Sequence, residues 1–60
     1  MIPEREVYGR EGFEAYSRHA GGKSLATGEP LPGWDDLPES IREAWRVAGE
    51  AISKVVQAAS

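Results

Sequence analysis

The residues best placed to do chemistry are Gly22-Lys23-Ser24, which resemble the end of a phosphate-binding loop. That loop cradles phosphate on backbone amides, with a Lys on the outer phosphates, and needs a further Gly five residues before Gly22. Ser17 stands there, so nucleotide hydrolysis is rejected. A milder reading keeps Tyr16, Lys23, Ser24, Thr27 and Trp34 as the lining for a small anionic ligand, with the Gly21-Gly22 amides contributing. The single His, His19, lies beside Arg18 and near Glu11 and Glu14, but acid–base work also needs a pocket and a second positioned group. Ser17 projects to another side of the helix. His19 therefore reads as a helix-end residue, and no catalytic residue is assigned. With no Cys and one His, no metal site and no cofactor are expected.

The elements that must position these groups number two. Residues 3 to about 20 read as a helix, with Pro3 in its first turn, Glu4 and Glu6 at its positive end, and Arg18 and His19 in its last turn. Phe13, Tyr16 and Ala20 share a face, and Gly21-Gly22 supplies a left-handed stop. Gly9 and Gly12 either weaken this helix or let a neighbour approach closely, and one continuous helix is the expectation. Residues 21–36 form a Pro/Gly-rich connector carrying Leu25, Leu31 and Trp34, expected to tack it onto the helices.

Residues 37 to about 58 form a second helix, with Pro38 at its start and Asp35 or Asp36 as a cap for the turn that precedes it. Ile41, Trp45, Ala48, Ile52, Val55 and Ala59 alternate at spacings of four and three, and Ala44, Ala51 and Ala58 widen that stripe along one flank. Trp45 is expected in the core. The alanine flank is expected to face Gly9 and Gly12, and Arg42, Glu43, Arg46, Glu50, Ser53, Lys54 and Gln57 to form the outer face, with Glu50–Lys54 and Glu43–Arg46 pairs. Gly49 reads as the helix's one weak point. The end of this helix outruns the first and leaves Ile52, Val55 and Val56 uncovered, so Trp45, Ala48, Ile52, Val55, Val56 and Ala59 are the candidate interface.

Length and charge set the frame. One small domain over residues 1–60 has a thin stability margin, and without Cys or metal the remaining support is self-association. Seven basic and ten acidic residues, interleaved to a net charge of −3, argue against nucleic acid as partner. No apolar run suits a membrane span or a signal peptide, and a cytoplasmic location is expected. The expected fold is all-α: an antiparallel two-helix hairpin with an ordered connecting loop, assembled into a homodimer or higher oligomer.

The run Phe13-Glu14-Ala15-Tyr16, then Gly21-Gly22-Lys23-Ser24, then Gly28-x-x-Leu31-Pro32-x-Trp34-x-x-Leu37-Pro38-x-x-Ile41-x-x-Ala44-Trp45, is similar to small proteins encoded by bacteriophages and prophages. The similarity spans about residues 11–52. It implies a host-cell setting, and either a module that binds and modulates a host protein or a sponge that sequesters a nucleotide signal of host immunity. It assigns a role to no individual residue.

Overall fold

The computed structural model describes residues 4–59; Pro3 lies outside them. Two helices dominate, α1 at Glu4–His19 and α2 at Glu39–Ala59, with a single 3₁₀ turn at Trp34–Asp36 between them. They pack on each other as a helical hairpin. The register runs in opposite senses along the pair: Gly12 meets Trp45, Gly9 meets Arg46, and Tyr8 meets Gly49.

Local chemistry fixes the element ends. Acidic Glu4 and Glu6 open α1, and Arg18 and His19 close it, each matching the sign of the helix dipole. Gly21 stops the helix at φ 70°. Its N–H donates to the Arg18 carbonyl and that of Gly22 to the Ser17 carbonyl, which is the Schellman arrangement. The chain then doubles back. Ser24 N–H donates to Glu29 O, Leu31 N–H donates to Gly22 O, and Gly28 at φ 76° turns the tip between them. Asp35 and Asp36 lie inside the 3₁₀ turn that precedes α2; the N-cap position of that turn is Gly33, with no side-chain cap hydrogen bond. Leu37 is extended, as a residue before proline prefers, and the Pro38 carbonyl accepts the first N–H groups of α2, from Ile41 and Arg42.

The core is small: Phe13, Trp34 and Leu37 are buried, with Leu31 and Trp45 packed against them. Phe13 holds the middle, its ring 6.0 Å from that of Trp34 and 5.8 Å, edge-on, from that of Trp45. Tyr16 continues the aromatic contact at 5.6 Å from Trp45. Leu31 and Trp34 thus anchor the connector as expected, whereas Leu25 stands out at 67% exposure.

The helix-to-helix contact departs from the sequence expectation in one respect. α1 does not pack on the stripe of α2 or on the flank of Ala44, Ala51 and Ala58. It packs about 100° around α2, on the strip that carries Arg46, Gly49 and Ser53, and shares only Trp45 with the stripe. The physical reason is backbone proximity. A Cβ on Gly9 would sit 2.8 Å from Arg46 N, and one on Gly49 would sit 2.8 Å from Tyr8 C. Only glycines at both points let the helices cross that closely, so Gly49 is the contact point and not a flaw. Gly12 differs, because a Cβ there would rest 3.5 Å from the Trp45 ring, at ordinary contact distance.

Gly9→Ala and Gly49→Ala should therefore each destabilise the fold by about 1–3 kcal/mol through overpacking, even though Ala is the better helix former. Gly12→Ala should instead stabilise it by up to about 1 kcal/mol. Urea unfolding of the three variants measures this. A stabilised Gly49→Ala would show that the helices do not meet there.

Candidate interaction face

The crossing point is held by charge. Arg46 projects from α2 toward α1 and its side chain is only 10% exposed. Its Nη1 donates to Glu6 Oε2 at 3.0 Å, its Nε donates to Glu43 Oε1 at 2.9 Å, and Nη2 pairs with Glu39. Glu6 also accepts from the Trp34 indole N–H at 3.2 Å, which ties the 3₁₀ turn to the same cluster. Arg5 donates to Glu43 at 2.8 Å and lies 3.5 Å from Glu50, closing the far side. Glu43–Arg46 is thus present as expected, while Glu50 reaches across to Arg5.

These contacts shift the titration of the groups. Burial pushes the Glu6 carboxyl up, but the hydrogen bonds from Arg46 and Trp34 outweigh it and leave Glu6 below its ordinary value. Hydrogen bonds from Arg5 and then Arg46 hold Glu43 below its ordinary value as well. Arg46 is raised, by its bond to Glu43 first, so it stays charged at any accessible pH.

Because Arg46 and its carboxylates occupy the contact strip, the stripe of α2 faces elsewhere. Ile41, Ile52, Val55 and Val56 are 44%, 64%, 69% and 61% exposed. Ala44, Ala48, Ala51, Ala58 and Ala59 are exposed too, and Trp45 is half-buried. From Ile41 to Ala59 the stripe and its alanine flank contain no charged or polar side chain. This is an unbroken apolar band about 27 Å long. Where it meets α1 there is a cleft of about 410 Å³, lined by Tyr8, Glu11 and Gly12 from one helix and Trp45, Ala48, Gly49, Ile52, Ser53, Val56 and Gln57 from the other. Trp45, Ala48, Ile52 and Val56 of the expected interface come together here; Val55 and Ala59 continue the band beyond it. Tyr8 and Gly12 border this surface from α1, a pairing that periodicity along α2 alone does not specify.

The anion-binding set fares differently. Trp34 is buried against Phe13 and Leu37 rather than exposed as an anchor. The Tyr16 hydroxyl accepts from Leu25 N–H at 3.0 Å, Ser24 Oγ from Ala26 and Thr27 N–H, and Thr27 Oγ1 from Glu29 N–H. The Gly21 and Gly22 amides are taken by α1 carbonyls. Two further clefts lie beside Trp34, one toward Glu6 and Arg10 and one toward Ser17 and Pro32. Lys23, Ser24 and Thr27 line none of the three. The Gly21 and Gly22 amides and the Ser24 and Thr27 hydroxyls are thus engaged in forming the turn.

Among the described residues, no group of three His, Cys, Asp or Glu could hold a metal ion, and no helix is long and apolar enough to cross a membrane. No protein-family model matches the chain, and neither a curated protein nor a solved structure matches it.

The charge cluster makes a signed pH prediction. Glu6 and Glu43 are depressed in the fold, so their contribution is complete above the ordinary carboxyl value of 4.5 and is lost as pH falls through their lower folded values. Arg46→Met leaves the desolvated Glu6 carboxylate with only the Trp34 N–H, which raises its affinity for protons above that of an ordinary carboxylate, while Glu43 keeps Arg5. The parent should lose stability on acidification below about pH 4.5, while Arg46→Met, weaker at neutral pH, should gain stability from about pH 7 down to about pH 4.5. Thermal melts across that range check it; parallel curves for the two proteins would remove Arg46 from the centre of the fold.

Proposed function

We propose that this chain is a non-enzymatic interaction module that works by laying the apolar face of α2 against another macromolecule. The observation that carries the reading is the exposed, charge-free band from Ile41 to Ala59, with Ile52, Val55 and Val56 each more than half exposed. Exposed apolar surface of this continuity marks contact sites in small proteins. Along its edge toward α1 the band borders a preformed hollow between Tyr8 and Trp45, where a partner's side chain can seat. Similarity of the Gly-Gly-Lys-Ser turn and the Trp-x-x-Leu-Pro lead-in to phage-encoded proteins supports a host macromolecule, above all a host protein, as the class of target. A cytoplasmic site of action follows from that class. The sponge reading has weaker support, since the turn's amides and hydroxyls are engaged by the backbone.

Native mass spectrometry of the protein, drawn gently from extract of the cells that make it, tests the proposal. The expected species carries a macromolecular partner or further copies of the chain, and Ile52→Asp/Val55→Asp, at positions outside the core, loses it while keeping its helical circular dichroism. A parent that carries only an added mass of a few hundred daltons would replace this reading with ligand sequestration. An unchanged complex in the Asp variant would move the contact off α2.

A further inference from the structure

We infer that the face of α2 is covered by a second copy of the same chain, with the two α2 helices antiparallel and a two-fold axis that crosses between them at the axial level of residue 50, whose side chain lies on the opposite face. This rests on the reading of that face as a contact surface and specifies what first occupies it.

The stripe's own order points to a copy. Alternating spacings of four and three form the seam of a left-handed helix pair, so the covering element is itself a helix. Reversing α2 about Glu50 superposes the stripe on itself without a gap: Ile41 comes opposite Ala59 of the second copy, Trp45 opposite Val55, and Ala48 opposite Ile52. In every layer a larger side chain meets a smaller one, the alternation that fills an interface without voids or clashes. A parallel pair would instead stack Trp45 on Trp45 and Ala48 on Ala48. The cleft beside Ala48 supplies the hole that Ile52 of the second copy enters, and the reciprocal contact follows from the symmetry.

Electrostatics and stability agree with this occupant. Each chain carries a net charge of −3, yet the band contributes none of it, so two copies meet there without opposing like charges. The flank is Ala at each heptad (Ala44, Ala51, Ala58), which lets two backbones approach without long side chains between them. Among the described residues a single chain buries only Phe13, Trp34 and Leu37 as hydrophobic core, a thin basis for a 60-residue chain without Cys. A cover always present at the chain's own concentration supplies the missing burial.

The absence of native Cys allows a direct test of both copy number and direction. Full-length Ala48→Cys and Ile52→Cys proteins are oxidised separately and as an equal mixture. In the antiparallel arrangement position 48 lies opposite position 52, within disulfide reach, whereas two copies of position 48 are offset by about 6 Å along the axis in addition to their lateral spacing. The covalent dimer should therefore dominate the mixture and be lost from either variant alone, and sedimentation of the parent should give a dimer. Self-linking of Ala48→Cys alone, or a dimer that links in no combination, overturns the register. A parent that sediments as a monomer overturns the second copy as occupant; if that monomer binds a different macromolecule through α2, the interaction reading itself still stands.

Discussion

The backbones of α1 and α2 meet at Tyr8–Gly9 and Arg46–Gly49 with no side chain between them, and the rest of the molecule is arranged around that contact. Two helices can approach so closely only where each sets a glycine against the other's backbone, here Gly9 against Arg46 and Gly49 against Tyr8. Once they do, the rotation of α2 about its own axis is set by whatever lies beside Gly49. One turn earlier stands Arg46, whose guanidinium must find carboxylates as it leaves water. Glu6 arrives from α1, Glu43 and Glu39 from α2, and the Trp34 indole completes the Glu6 hydrogen bonds. Close packing and charge pairing thus favour the same rotation.

That rotation has a cost, and the cost carries the functional argument. An amphipathic helix in a monomeric hairpin normally turns its apolar stripe inward. Here the inward strip is taken by glycine, arginine and serine, and the stripe is left facing solvent apart from Trp45. The aromatic cluster of Phe13, Trp34 and Trp45 fixes the hairpin at one end of the contact, and the ion pairs fix it beside the crossing. Among the described residues nothing covers Ile52 or Val55, because the stripe that carries them is rotated away from the strip on which α1 packs. A surface of this kind is expensive in water, and its pairing with another helix is the simplest way to lower that expense.

The connector shows the opposite economy. Its glycines adopt positive φ, its hydroxyls accept local amide N–H groups, and Leu31 and Trp34 reach the core. A Gly-Gly-Lys-Ser stretch that resembles a phosphate loop in sequence serves here as a helix stop, since the amides that would hold an anion are bonded to Ser17 and Arg18 carbonyls. The same residue types in a different backbone context carry different chemistry.

Several features were legible in the sequence because they depend on neighbours along the chain. The two helices, the Gly21 stop and the aromatic face of Phe13 and Tyr16 all follow from periodicity, dipole sign and backbone freedom, which act over one or two turns. Which face of α2 meets α1 did not follow. Hydrophobic periodicity places the stripe inward by default and counts Arg46 as solvent-facing, whereas the choice was made by two glycines 40 residues apart and by an arginine whose partners come from both helices. The signal was present as Gly49 interrupting an otherwise strong helix one turn from Arg46, matched by Gly9 in α1. Its meaning is a distance between backbones, and distances between elements far apart in the chain exist only once the chain has folded.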